Sequence, residues 1–146
     1  YHDRLQQALA RIIDRFGYAL LWDAHSIRAE VPLLFDGRLP DLNIGTNGGA
    51  SCRDSFAKAT GAVAAASAFS SVIDGRFKGG FITRQYGDPG RGVHAIQLEI
   101  AQRTYMDEGS FEYLPPVAER LRAVIAPMLE AFLSSAAGAF RDRNSA

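Results

Sequence analysis

Short apolar runs alternate with amphipathic helical segments along this chain, and that alternation constrains its fold more than any other feature. Leu5, Leu9, Ile12, Ile13 and Phe16 share one helical face, and Gly17 supplies a left-handed stop. Tyr18 to Trp22 is an apolar run of the kind buried on both faces of a parallel sheet, and it ends in Asp23-Ala24-His25-Ser26. A loop from Ile27 to Asp41, marked by Pro32, Asp36-Gly37 and Pro40, leads to a short strand at Leu42 to Ile44. Ser51 with Asp54 three residues on reads as a capping box, opening an Ala-rich helix to about Ala68. Further strands are expected at Ser71 to Ile73, Phe77 to Thr83 and Val93 to Ile100. Pro115-Pro116 then opens a long amphipathic helix, which Pro127 is expected to kink because it cannot donate to the carbonyl of Ala123. A chain of this pattern is expected to fold as a three-layer α/β domain.

Composition removes several function classes. The 146 residues carry 16 basic and 16 acidic side chains, so no overall charge favours nucleic acid or an anionic membrane. The longest uncharged run, residues 59–73, is too short and too weakly apolar to span a bilayer. A single cysteine forms no internal disulfide, which fits a reducing compartment. The polar tail from about Arg141 is expected to fray.

Polar residues gather where the strands are expected to end, the usual place for ligands in open α/β sheets. His25 reads equally as a metal ligand, a general base or a polar residue tied to a loop carbonyl, with Asp23 placed to orient the ring. Glu99 interrupts an apolar strand, which is costly unless the carboxylate is paired or functional. It is either a general base or the partner of an arginine such as Arg84 or Arg103. Arg76, Arg84 and Arg103 are each a candidate fork for a substrate carboxylate and equally a candidate surface ion pair. His94, at the start of the Glu99 strand, reads as a solvated-loop residue. Cys52 falls in the first turn of an expected helix, which makes a thiol hydrolase with His25 or His94 a minor alternative. The loop Gly45-Thr46-Asn47-Gly48-Gly49 lacks the lysine and spacing of a phosphate cradle, and no CxxC or HExxH pattern occurs.

Four linked strings resemble the N-formylglutamate amidohydrolase (deformylase) family. They are Leu20-Leu21-Trp22-Asp23-Ala24-His25-Ser26, residues 39–47 (LPDLNIGTN), residues 75–84 (GRFKGGFITR) and residues 93–108 (VHAIQLEIAQRTYMDE). The resemblance runs in register from about Tyr1 to Pro116. It departs at Thr83-Arg84-Gln85-Tyr86-Gly87, where the family usually has Thr-Arg-His-Tyr-Gly.

The resemblance implies a phosphorylase/hydrolase-like α/β/α sandwich with a mixed sheet, related to the zinc carboxypeptidases. It implies hydrolysis of N-formyl-L-glutamate to formate and glutamate in bacterial histidine degradation, in the cytoplasm. By analogy, His25 would be a metal ligand with Asp23 behind it, the metal being divalent and most simply zinc, and Glu99 the general base. Arg84 and Arg103 would hold the substrate carboxylates, supported by Asn43 and Asn47. The family's first metal-binding block, a His and an acid, has no counterpart here. Residues 1–146 are therefore expected to correspond to the C-terminal portion of a single amidohydrolase domain, inactive alone. The expected partner is a small N-acyl amino acid, with neither nucleic acid nor membrane involved. An apolar sheet edge left open would favour homo-oligomerisation. A non-catalytic ligand-binding or assembly module of the same fold is the main alternative.

Overall fold

A computed structural model of the chain describes residues 1–141. The polar tail lies outside the described residues except for Arg141, which ends the last helix. The elements are α1 (His2–Phe16), β1 (Ala19–Ile27), β2 (Leu42–Gly45), α2 (Asp54–Ala65), β3 (Ser71–Ile73), α3 (Phe81–Tyr86), β4 (Val93–Ala101) and α4 (Pro115–Arg141). They form a mixed α/β fold around one four-stranded sheet of order β1-β4-β2-β3. β1 runs parallel to β4 and β2 parallel to β3, while β2 and β4 are antiparallel.

Strand periodicity sorts the side chains onto two faces. Ile96, Leu98, Leu42 and Ile44 face a core closed by Phe56 of α2 and by Leu121, Met128 and Phe132 of α4. Each such side chain contributes about 1.5–3 kcal/mol of transfer free energy. Ala19 and Val93 face the other way, against Leu9 of α1 and Tyr86 of α3. By length and composition α4 is apolar enough to cross a membrane; Ala118, Leu121, Met128, Phe132 and Ala136 on it are buried in the protein, and most of its apolar stretch is not.

Several expectations change. β1 continues through Asp23-Ala24-His25-Ser26 to Ile27, so these residues lie in the strand rather than beyond it. β1 is an outer strand among the described residues and grows more exposed along its length, which lets polar side chains stay in the ladder. The segment expected as a strand at Phe77 to Thr83 is irregular to Gly80 and then helical, because Gly79 at φ 114° turns the chain into α3. Arg84 therefore rides on a helix. Ser51 does not cap α2: Arg53 occupies that position without a side-chain cap, and the Ser51 hydroxyl donates to the carbonyl of Ala95. α1 ends at Gly17 with φ 76°, as its sequence indicates.

Beside β1, Phe16 (56% exposed) and Leu133 (57%) frame an apolar hollow with Ile12, Tyr18 and Leu20.

Candidate active site

On the other face of the sheet α1 and α3 pack against Ala19, Leu21 and Val93, at the starts of β1 and β4. Further along both strands this face carries polar side chains. Parallel register sets Asp23 beside Gln97 and His25 beside Glu99, and the spacing of two puts all four on this face. Asn43 on β2 pairs with Glu99 from the other side. Above them the segment from Arg76 to Arg84 completes a cleft of about 620 Å³, lined by Asp23, His25, Gln97 and Glu99 below and by Arg76, Lys78 and Arg84 around the rim.

The roof segment is seated by backbone contact. A Cβ added at Gly45 would lie 2.5 Å from the Gly79 nitrogen and 2.6 Å from the Lys78 carbonyl carbon, so only glycine lets the segment pass over β2. The Asn47 N–H donates to the Lys78 carbonyl at 2.5 Å, and the Gly80 N–H donates to Gln97 Oε1 at 2.5 Å. Arg84 Nη1 donates to the Gly79 carbonyl at 2.7 Å, which holds its guanidinium over the cleft. Arg76 donates to the carbonyl of Leu34 and lies 5.6 Å from the Phe35 ring centroid.

His25 Nε2 lies 2.8 Å from Asp23 Oδ1, so Asp23 holds the half-exposed ring by that nitrogen. Glu99 is 7% exposed. Burial pushes its carboxyl above the ordinary glutamate range, and the neighbouring His25 and a hydrogen bond from Gln97 offset that only in part. Gln97 Nε2 donates to Glu99 Oε2 at 3.1 Å.

Three of the expected substrate ligands lie outside the cleft. Arg103 Nη2 meets Asp41 Oδ1 and the Leu39 carbonyl, each at 2.8 Å, fixing the long loop after β1. Buried Asn43 donates from Nδ2 to the carbonyls of Pro40 and Glu99. Asn47 adopts φ 54° in the turn after β2 and serves through its backbone. His94 is fully buried rather than solvated: its Nδ1 accepts from the Arg53 N–H, and burial lowers its pKa to about 4. Cys52 precedes α2 instead of lying in its first turn. Burial pushes its thiol up to about 12, the opposite of what a nucleophile needs. Gln97, Arg76 and Lys78 are cleft residues that the sequence reading left out or named only in passing. For Gln97 the available signal was a second polar residue two positions before Glu99, hence on the same face.

A catalytic zinc takes about three protein ligands. His25 with Asp23 behind it has the form of one, but among the described residues no group of three His, Cys, Asp or Glu side chains could hold a metal. The donors present therefore do not fit a zinc by themselves.

The family profile described as N-formylglutamate amidohydrolase matches residues 1–106, which include β1, β2, β4 and every cleft residue. The chain belongs to the N-formylglutamate amidohydrolase family. Two curated N-formylglutamate deformylases share 59% identity (Pseudomonas aeruginosa) and 52% (Pseudomonas putida) over 136 residues, 92% of this chain and 51% of each relative. The crystal structure of an N-formylglutamate amidohydrolase from Ralstonia eutropha JMP134 superposes with a TM-score of 0.79 at 22% identity. That alignment covers 94% of this chain and 51% of the other, and it shows the shared fold. The chain thus spans about half the length of the family members it matches.

Proposed function

We propose that these residues form part of an enzyme that hydrolyses N-formyl-L-glutamate to formate and L-glutamate, the activity that the names of its relatives state for those proteins. The observation that carries this reading is Glu99. A carboxyl group buried on an inner strand, opening into a cleft rimmed by cations, is what hydrolysis of a small dianionic amide requires.

In this mechanism Glu99 accepts a proton from the water that attacks the formyl carbon. The carbon–nitrogen bond breaks, the proton passes to the departing amine of glutamate, and formate leaves. A base raised by burial suits both transfers, since it takes the proton and gives it back. Arg84 holds one substrate carboxylate, and Arg76 and Lys78 supply positive charge around the other. Asp23 keeps the His25 ring in one orientation. Arg103, Asn43 and Asn47 serve the site by fixing its frame.

Zinc dependence belongs to the same proposal. His25 would be one ligand, with the remaining donors in the half of the family's length that this chain does not span. With it go a complete three-layer sandwich related to the zinc carboxypeptidases, a place in histidine degradation, a cytoplasmic location and self-association through the β1 edge.

The experiment is formate release from N-formyl-L-glutamate, with and without a chelator, by a polypeptide of full family length carrying these residues. Chelator-sensitive release is expected. Absence of formate from a folded, zinc-supplied preparation refutes the activity, and chelator-insensitive release refutes the metal.

A further inference from the structure

The Gln97 side chain touches both the roof of the site and its buried acid. It is 5% exposed, lies on the same strand face as Glu99 two residues away, and pairs in register with Asp23 on β1. A primary amide has an accepting end and a donating end, so its partners decide which way it points. The Gly80 N–H can only donate, and it lies 2.5 Å from the near end, which is therefore Oε1. The far end is then Nε2, which donates to Glu99 Oε2 at 3.1 Å. Glycine at position 80 permits this approach, because a Cβ there would lie 2.9 Å from Oε1.

The amide thus forms one directed chain of hydrogen bonds from roof to acid. The roof end of that chain also carries the cation: Gly80 caps α3, and Arg84 of α3 bonds back to the Gly79 carbonyl. Movement of Gly79-Gly80 when Arg84 engages an anion would be felt at Glu99 through a single side chain.

We propose that Gln97 is a positioning residue: its amide sets the rotation of the Glu99 carboxylate and couples it to the Gly79-Gly80 segment that carries Arg84. The catalytic consequence rests on Glu99 being the base of the proposed hydrolysis. The hydrogen-bond chain does not. Gln97 touches no reacting atom, so the effect falls on turnover more than on substrate affinity.

Two substitutions separate this role from simple support of the roof. Gln97→Glu keeps an acceptor for the Gly80 N–H but removes the donor to Glu99 and sets two carboxyl groups side by side. Gln97→Met removes both bonds at similar volume. In the full-length enzyme, Q97E is expected to lower kcat by about 10- to 100-fold, the scale of a misplaced catalytic group, while KM changes by about twofold or less. Q97M is expected to lower kcat and also to raise KM, because the seat of Arg84 is released. Wild-type kcat in Q97E overturns the proposal, since the donor that sets the Glu99 carboxylate is then dispensable.

A second readout needs no turnover. In the proton–nitrogen NMR spectrum of this chain, one Gln97 side-chain amide proton should move upfield when Glu99→Gln replaces a charged acceptor by a neutral one. An unmoved Gln97 amide refutes the coupling even if formate release is robust. A wild-type enzyme that releases no formate, with a Gln97 amide that does shift, removes the proposed activity and leaves the coupling standing.

Discussion

Replacing Gly45 with alanine tests the architecture of the cleft with a single methyl group. The added Cβ would lie 2.5 Å from the Gly79 nitrogen and 2.6 Å from the Lys78 carbonyl carbon, about 1 Å inside ordinary contact. β2 cannot retreat, because it is buried throughout and paired with β3 on one side and β4 on the other. The roof segment must move instead. A shift of about 1 Å breaks the Asn47-to-Lys78 and Gly80-to-Gln97 hydrogen bonds, at about 1 kcal/mol each. Adding overpacking of about 1 kcal/mol gives a loss of about 3 kcal/mol, or about 10 °C in Tm for a chain of this size. Chemical denaturation measures the first quantity. Amide shift changes should concentrate at Lys78 to Arg84 and at Gln97 rather than across α2 and α4. A G45A chain within about 0.5 kcal/mol of wild type, with an unmoved roof, would refute the claim that the segment is seated on β2 by backbone contact.

Arg103→Ala should cost about 2 kcal/mol of stability, because it removes the charged donor from Asp41 Oδ1 and leaves that carboxylate only the two hydrogen bonds from Ser70, while KM changes little; a large KM effect at normal stability would place Arg103 in the substrate site. Glu99→Gln should raise stability at neutral pH. Burial elevates the folded-state pKa, so the stability contributed by the protonated acid is full below the ordinary glutamate range and is lost as pH rises through the elevated value. The advantage of E99Q should therefore shrink as the solution is acidified, and urea titrations at several pH values check that sign. Cys52 should resist alkylation in the native chain and react on denaturation, consistent with 1% exposure and a thiol pushed up to about 12; rapid native labelling would contradict the packing around it.

The strength of the periodic signal decided how much could be read from sequence. α1 stands out by its apolar stripe and β2 and β4 as apolar runs buried along their whole length, and Gly17 marks its helix end through a left-handed conformation. β1 is longer than its apolar run, since hydrogen bonding to β4 continues where the side chains turn polar. Phe77 to Thr83 misleads because a short apolar run fits a strand or a helix, and the decision there falls to Gly79 and to contact with Gly45. The same division holds at the cleft. Glu99 and His25 are legible as polar side chains that an apolar strand and a strand end do not otherwise explain. Arg103 is not, because its partner Asp41 is remote in sequence and only the folded loop brings the two together. Gln97 is passed over because a glutamine in a strand reads as a solvent-facing residue, whereas β4 has no solvent face.

The most direct test compares formate release from N-formyl-L-glutamate by the full-length enzyme and by its Glu99→Gln variant. Because E99Q preserves shape and a hydrogen-bond acceptor, the account predicts a fall in kcat of about 100-fold or more with substrate binding retained. Turnover within a few-fold of wild type would contradict it, because the buried acid on β4 could not then be the base.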